Sequence, residues 1–190
     1  MKTLVFYGSP KADSHTRHLL NAMLGELEGE VQIADCYHMN IAPCKDCGYC
    51  SKKKGCSIKD EMTELYDSID ACDAVIIATP MHFGIMSAPM YTVFTRLQSY
   101  WASRFIRKEE KGGSGKKYGA LLVTAGNRWM NMELLMAGVT RFAFDHMRAE
   151  CIGAVYAKKT DVLPAAENKE ALAQARDLAK RLNELCAKSE

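Results

Sequence analysis

Apolar positions follow two spacings along this chain, and the two alternate. Short runs of largely apolar residues at Thr3–Tyr7, Val31–Ala34, Ala74–Ala78, Tyr118–Thr124 and Ile152–Tyr156 predict strands. The third, Ala74-Val75-Ile76-Ile77-Ala78, is continuously apolar, as a sheet covered on both faces requires, and Pro80 ends it. Between the strands lie segments at helical spacing. Ser14–Leu27 carries Leu19, Leu20, Met23, Leu24 and Leu27 on one stripe, and a helix capped near Asp60 turns Met62, Leu65, Tyr66 and Ile69 inward. Further helices are predicted from Ala88 to about Phe105, from about Met132 to Met147, and at the end of the chain through Leu172, Ala175, Ala179, Leu182 and Cys186. Lys111-Gly112-Gly113-Ser114-Gly115-Lys116 reads as a surface loop, because a strand follows it at once.

Five strands alternating with five helices predict a doubly wound α/β fold: a five-stranded parallel sheet in the flavodoxin-like order 2-1-3-4-5. At 190 residues the chain is expected to form a single domain over 1–190, with a non-periodic, cysteine-rich loop insert at about 36–59. In such sheets ligands sit beyond the strand carboxyl ends, at the switch point between the first and third strands. Three loops are thereby singled out: after Tyr7, after Thr79 and after Thr124.

Charge narrows the partners. Twenty-five Lys+Arg against 23 Asp+Glu give a net charge of +2, which supplies no electrostatic reason to bind nucleic acid. Lys52-Lys53-Lys54 and Lys116-Lys117 are short basic runs that read as solvated loop charge. No apolar run reaches the roughly 18–20 residues of a membrane span, and the N-terminal apolar stretch is too brief for a signal peptide, so no membrane partner and a cytoplasmic location are expected. Thiols stay reduced there, so the eight cysteines need an explanation other than disulfides.

The first loop, Gly8-Ser9-Pro10-Lys11-Ala12-Asp13-Ser14-His15-Thr16-Arg17, surrounds a helix start with hydroxyls at Ser9, Ser14 and Thr16. Free N–H groups and the helix dipole suit a phosphate monoester there, although Ser14 could equally serve only as the cap. The loop has neither the P-loop pattern nor the G-x-G-x-x-G of a dinucleotide site. It also lacks the acidic cluster of a receiver domain and the Cys of a low-molecular-weight phosphatase. The second loop, Thr79 to Ala88, brings His82, Phe83 and a flexible Gly84. The third, Thr124-Ala125-Gly126-Asn127-Arg128-Trp129, offers small residues through which backbone groups can approach a flat polar ring. Taken singly, His82 and Trp129 read as ordinary packing; three loops converging on one crevice favour a ligand.

Cys44, Cys47, Cys50 and Cys56 form the pattern C-x2-C-x2-C-x5-C. Four thiolates so spaced can hold a four-iron four-sulfur cubane. Zinc fits less well, since zinc ribbons separate two C-x2-C knuckles by a dozen or more residues, and a thioredoxin-like pair would start a helix directly after a strand. The spacing shows capacity for a cluster, not occupancy. Cys36, Cys72 and Cys151 are isolated and read as core residues; Cys186 reads as a small apolar residue in the last helix.

Gly8-Ser9-Pro10 with Ser14 and Thr16, and Thr79-Pro80-Met81-His82-Phe83-Gly84 with Ser87 and Arg96, resemble the flavodoxin-fold NAD(P)H-dependent FMN reductases. With the four clustered cysteines and Ile58-Lys59-Asp60-Glu61-Met62, the resemblance is closest to their iron–sulfur flavoprotein branch. It implies FMN as cofactor, with Ser9, Lys11, Ser14 and Thr16 at the phosphate. Pro80, Met81, His82, Phe83 and Gly84 would line the isoalloxazine, and Thr124, Ala125 and Gly126 its far edge. It also implies NAD(P)H as donor, Cys44, Cys47, Cys50 and Cys56 as ligands of a [4Fe-4S] cluster, and a homodimer or homotetramer. His82 stands where the family usually has Tyr, Tyr91 where it often has Lys, and Thr95 where Asp often precedes the Arg.

The expected activity is FMN-dependent transfer of electrons from NAD(P)H or a protein donor to a quinone, flavin or redox-protein acceptor. The flavin carries the hard chemistry, so no dedicated catalytic side chain is expected. The rival reading is a non-enzymatic electron carrier or thiol-based redox sensor centred on the cysteine segment. A homo-oligomer is expected on a further ground: Phe94, Leu97, Tyr100, Trp101 and Phe105 give the helix after the second loop more apolar surface than one sheet needs.

Overall fold

A computed structural model describes residues 1–109, 116–128 and 130–188. Its strands are β1 (Lys2–Tyr7), β2 (Glu30–Asp35), β3 (Ala74–His82), β4 (Ile85–Met86), β5 (Lys117–Ala125) and β6 (Ala149–Lys158). Five of them pair in parallel in the order β2-β1-β3-β5-β6, and the two-residue β4 folds back antiparallel on the end of β3. Leaving β4 aside, this is the 2-1-3-4-5 order expected from the alternation of runs.

The helices are α1 (His15–Leu24), α2 (Tyr49–Lys52), α3 (Met62–Ala71), α4 (Ala88–Thr95), α5 (Gln98–Trp101), α6 (Met132–Met147) and α7 (Lys169–Ala187). Successive strand residues point to opposite faces, so the apolar runs feed two cores. Leu4, Phe6, Val75, Ile77, Leu121 and Val123 pack with residues of α3, α4 and α6 on one side. Val5, Tyr7, Ile76, Ala78 and Leu122 pack with α1 and α7 on the other, where Cys186 is buried as expected.

Several expectations are corrected. Pro80 does not end the third strand, which continues to His82 and pairs Pro80 with Thr124. Ala78 takes the Gly8 N–H on the β1 side, so by the two-residue alternation of a parallel strand the N–H that Pro80 lacks falls beyond the end of β1. The continuous helix from Ala88 to Phe105 is broken into α4, α5 and a π-helical turn at Ala102–Ile106. At the break the N–H groups of Arg96 and Leu97 reach back three residues instead of four, and the Arg96 carbonyl accepts a bond from the Tyr66 hydroxyl at 2.8 Å. Phe94, Leu97 and Tyr100 are buried within the chain and so contribute no spare surface for a partner. Cys151 is exposed on β6, whereas Cys36 and Cys72 are buried as expected. The Lys111–Gly115 stretch and Trp129 lie outside the described residues.

Close packing of α6 on the sheet depends on Gly119 of β5, where a Cβ would stand 2.5 Å from the Phe144 ring. Gly138 of the same helix faces open space. We expect Gly119→Ala to lower stability by about 1–3 kcal/mol through overpacking. Gly138→Ala should raise it by roughly 0.5–1 kcal/mol through helix propensity. Thermal midpoints of the two variants, moving in opposite directions, check both.

Candidate functional site

The loop after β1 enters α1 through Ser14, whose hydroxyl accepts the Arg17 N–H at 3.0 Å and so caps the helix. The same oxygen meets the Tyr7 hydroxyl at 2.9 Å, and Tyr7 also donates to the Lys11 carbonyl at 2.9 Å. Ser14 is thus first a cap and a loop anchor. The first N–H groups of a helix lack intrahelical acceptors, and in α1 these belong to His15 and Thr16. Ser9 is buried and Lys11 exposed. Gly8 has no room for a side chain: a Cβ would stand 2.7 Å from Ser87 Oγ and 2.8 Å from the Met90 methyl. Ser87 Oγ is itself buried without a hydrogen-bond partner among the described residues.

The second and third loops meet this one. Thr16 and Thr124, both buried, share a hydrogen bond of 2.7 Å that ties the start of α1 to the end of β5. The backbone at Ala125 and Gly126 is held from the far side, since their carbonyls accept the Thr160 and Asp161 N–H groups. A Cβ on Gly126 would strike the Asp161 carboxylate at 2.6 Å. Pro80 and Met81 are half-buried, His82 is exposed, and Phe83 is fully exposed. Phe83 and Gly84 form the two-residue turn between β3 and β4 with φ of 51° and 86°, the paired left-handed geometry that matches strand twist. The fold therefore ties the start of α1, with Ser14 and Thr16, to the end of β5 at Thr124, with Ala125 and Gly126 directly after it, while His82 and Phe83 are exposed at the β3–β4 turn.

Cys44, Cys47, Cys50 and Cys56 all line one small pocket, together with Arg96, Gln98 and Ser99. The Asp46 N–H approaches Cys44 Sγ at 3.4 Å, Cys47 Sγ lies 3.2 Å from Ser57 Oγ, and Cys50 Sγ lies 3.9 Å from the Gln98 carbonyl. The Ser57 hydroxyl and the Tyr49 N–H hold the exposed Cys47 thiol below its ordinary pKa. Burial raises that of Cys50, and the neighbouring Cys44, Cys56 and Cys47 raise it further. Among the described residues, no three His, Cys, Asp or Glu side chains are close enough to hold one metal ion.

The segment is fastened to the break after α4. Cys44 N–H donates to Thr95 Oγ1 at 3.0 Å, and Arg107, at the end of the π turn, donates to the Cys50 carbonyl. Arg96, 1% exposed, makes the main clasp. Its Nη1 donates to the Ala42 carbonyl at 2.8 Å and to Asp60 Oδ2 at 2.7 Å, and its Nη2 to the Ile58 carbonyl and to Asp60 Oδ1, each at 3.2 Å. Asp60 in turn accepts the Met62 N–H and so does the capping work read from the sequence, although α3 starts at Met62. Burial alone would raise the Asp60 pKa; hydrogen bonds from Arg96 and the Ala42 N–H outweigh it and hold the carboxyl below 3.8.

A family profile described as NADPH-dependent FMN reductase matches residues 1–161. The chain belongs to this family. An iron-sulfur flavoprotein of Archaeoglobus fulgidus is 28% identical over 197 aligned residues, covering 96% of each chain. One from Methanosarcina thermophila is 30% identical over 131 residues, 67% of this chain and 65% of that protein. Among solved structures, the NAD(P)H:quinone oxidoreductase of Methanothermobacter marburgensis aligns with TM-score 0.73 at 16% identity, covering 96% of both chains. An FMN-dependent NADH-azoreductase of Bacillus anthracis, solved with FMN, aligns with TM-score 0.67 at 15% identity over 96% of this chain and 100% of that one.

This FMN reductase thus has a pocket lined by four cysteines, clasped by Arg96 and Asp60. Arg96 was visible in the sequence only as part of a motif. A lone arginine inside an otherwise apolar helical run (Val93, Phe94, Leu97) was the available sign that a buried anion awaited it. The reductase also carries a groove of about 690 Å³ lined by apolar residues such as Tyr91, Leu134, Leu135 and Phe142, each of them exposed.

A carboxylate whose pKa is depressed on folding stabilises fully above its unfolded value and loses that contribution as pH falls through the folded one. For Asp60 the window opens below pH 3.8. We expect Asp60→Asn to remove this part of the acid limb of the stability curve. At pH 7 it should cost about 3–5 kcal/mol, because it strands a buried guanidinium. Urea titrations between pH 3 and 7 check both.

Proposed function

We propose that the loops after β1, β3 and β5 hold FMN, and that Cys44, Cys47, Cys50 and Cys56 carry a four-iron four-sulfur cluster. Electrons would pass from NAD(P)H or a protein donor to a quinone, flavin or redox-protein acceptor. The observation that carries this reading is the convergence of four cysteine side chains on one pocket, in a chain whose loops after β1 and β5 are tied together at a helix start by the Thr16–Thr124 bond.

The residues present fit each group. At the FMN end, Ser9, Lys11 and the N–H groups of His15 and Thr16 surround the start of a helix, and Ser87 supplies a buried hydroxyl still wanting a partner. Pro80, Met81 and Gly84 with Ala125 and Gly126 would give the isoalloxazine a wall of backbone and small side chains, with His82 and Phe83 at the open edge. When bound, FMN supplies the hydride and single-electron chemistry, and the chain's part is to place it and limit access. At the cysteine end, a single zinc would need all its sulfurs about 2.3 Å from one point. A cubane takes one thiolate at each of four irons and suits a wider ring of sulfurs. The N–H of Asp46 and the hydroxyl of Ser57 are in place to stabilise thiolates. The two centres are joined by α4, whose eight residues span about 12 Å between Ser87 at the FMN crevice and Thr95 at Cys44.

The names of the relatives, iron-sulfur flavoprotein and quinone oxidoreductase, support the same assignment. The apolar exposure of Tyr91, Leu134, Leu135 and Phe142 supports a homo-oligomer that covers this face. The exposed Cys47, with its lowered pKa, favours the thiol-centred alternative if iron proves absent.

Removing one charge-assisted hydrogen bond to the phosphate should cost about 1.5–3 kcal/mol, so Ser9→Ala is expected to weaken FMN binding roughly 10- to 150-fold. Fluorescence titration of the flavin reads this directly, and an unchanged affinity would move the phosphate away from Ser9. Protein prepared anaerobically should contain iron, sulfide and FMN. Serine at position 44, 47, 50 or 56 should remove the iron and leave the flavin, while Cys186→Ser keeps both. Loss of FMN in all four variants would instead make the segment a wall of the flavin crevice.

A further inference from the structure

Arg96 does more than close a loop. Its four terminal N–H bonds are all spent, on two backbone carbonyls and on both oxygens of Asp60. The fifth donor of the guanidinium, Nε–H, is buried and has no partner among the described residues. Burying a donor without an acceptor is costly, and native proteins seldom do so without a ligand or other reason. Arg96 also lines the pocket that the four cysteines share. Lys45 and Asp46 also line it, exposed to solvent, and Arg107, which donates to the Cys50 carbonyl, is held by Glu109, so its charge is largely cancelled locally. Arg96 is partnered by Asp60, so the buried charge beside the pocket is the balance of one cation and one anion.

We propose that Arg96 Nε–H donates to a sulfur of the cysteine centre, either Cys56 Sγ or a sulfide held by the four thiolates, and thereby sets how strongly that centre holds an added electron. The inference rests on the redox reading of the cysteines given above. One electron taken from the donor would add one negative charge to such a centre and would break no bond in the chain. A hydrogen bond and a fixed positive charge at a sulfur stabilise the reduced form and raise its potential. Asp60 opposes the same charge and lowers it. Arg96 is thus a positioning residue for the centre, with Asp60 as its counterweight.

The two residues should act with opposite signs, which a purely mechanical clasp would not produce. Arg96→Lys keeps a cation but deletes Nε–H, while Asp60→Asn keeps the shape and deletes the opposing charge. Each protein is reconstituted anaerobically with iron and sulfide and titrated spectroelectrochemically. The midpoint of the iron-linked absorbance is expected to fall in Arg96→Lys and rise in Asp60→Asn. Each shift should be at least tenfold in the one-electron equilibrium, or about 59 mV. Each variant carries its own sign, so one that folds decides if the other does not. Iron-replete variants that shift in the same direction, or not at all, overturn the proposal. So does loss of iron from both with FMN retained, since Arg96 would then only shape the segment. If the unmodified protein takes up no iron, it is the cluster reading that fails. The same variants are then equilibrated with glutathione buffers, where two thiols give two electrons and two protons to glutathione disulfide, and the oxidised fraction is read by alkylation and mass spectrometry. Opposite shifts there sustain the role of Arg96 at the sulfurs; their absence overturns it.

Discussion

A buried guanidinium facing a buried carboxylate organises the irregular, cysteine-rich stretch of this molecule. The stretch from Cys36 to Lys59 lacks apolar periodicity and includes only one short helix, so beyond Cys36, Met39 and Ile41, which pack on the sheet core, hydrophobic burial gives its path little definition. Arg96 and Asp60 replace that driving force with direction. The planar fork takes the Ala42 carbonyl near one end of the stretch and the Ile58 carbonyl near the other, and both are held to the residue that starts α3. A pair of this kind need not add stability over a well-packed apolar alternative. What it adds is a unique closure of the loop, and with it the convergence of four thiols.

The clasp coincides with the interruption of the helix. Where Arg96 faces Asp60, the N–H groups of Arg96 and Leu97 bond three residues back. The π turn that follows carries Arg107 round to the Cys50 carbonyl. The turns from Thr95 to Arg107 thus meet the irregular segment at Cys44, Ala42, Ile58 and Cys50.

Strand order and the two-faced core were legible because they follow from runs such as Ala74–Ala78, whose continuous apolarity has one explanation. The α6 limits were legible for a similar reason, since Met132, Met136, Ala143 and Met147 share a buried stripe. Pro80 misled because a proline harms a strand only where a neighbour asks for its N–H, and the length of β1 is a tertiary fact. The helix after the second loop misled for a related reason: local spacing cannot show that Arg96 and Leu97 bond three residues back beside a buried carboxylate. Of the site, loop positions and the cysteine set could be read from residue type, whereas the double employment of Ser14 and the bond from Thr16 to Thr124 join residues far apart in sequence.

The bond between Thr16 and Thr124 has a further consequence. With Tyr7 bracing Ser14 and Lys11, the first and third loops are locked to each other by contacts within the chain itself. Segments so fixed have little conformational entropy left to surrender, so contacts they made with a ligand would not be spent on ordering them.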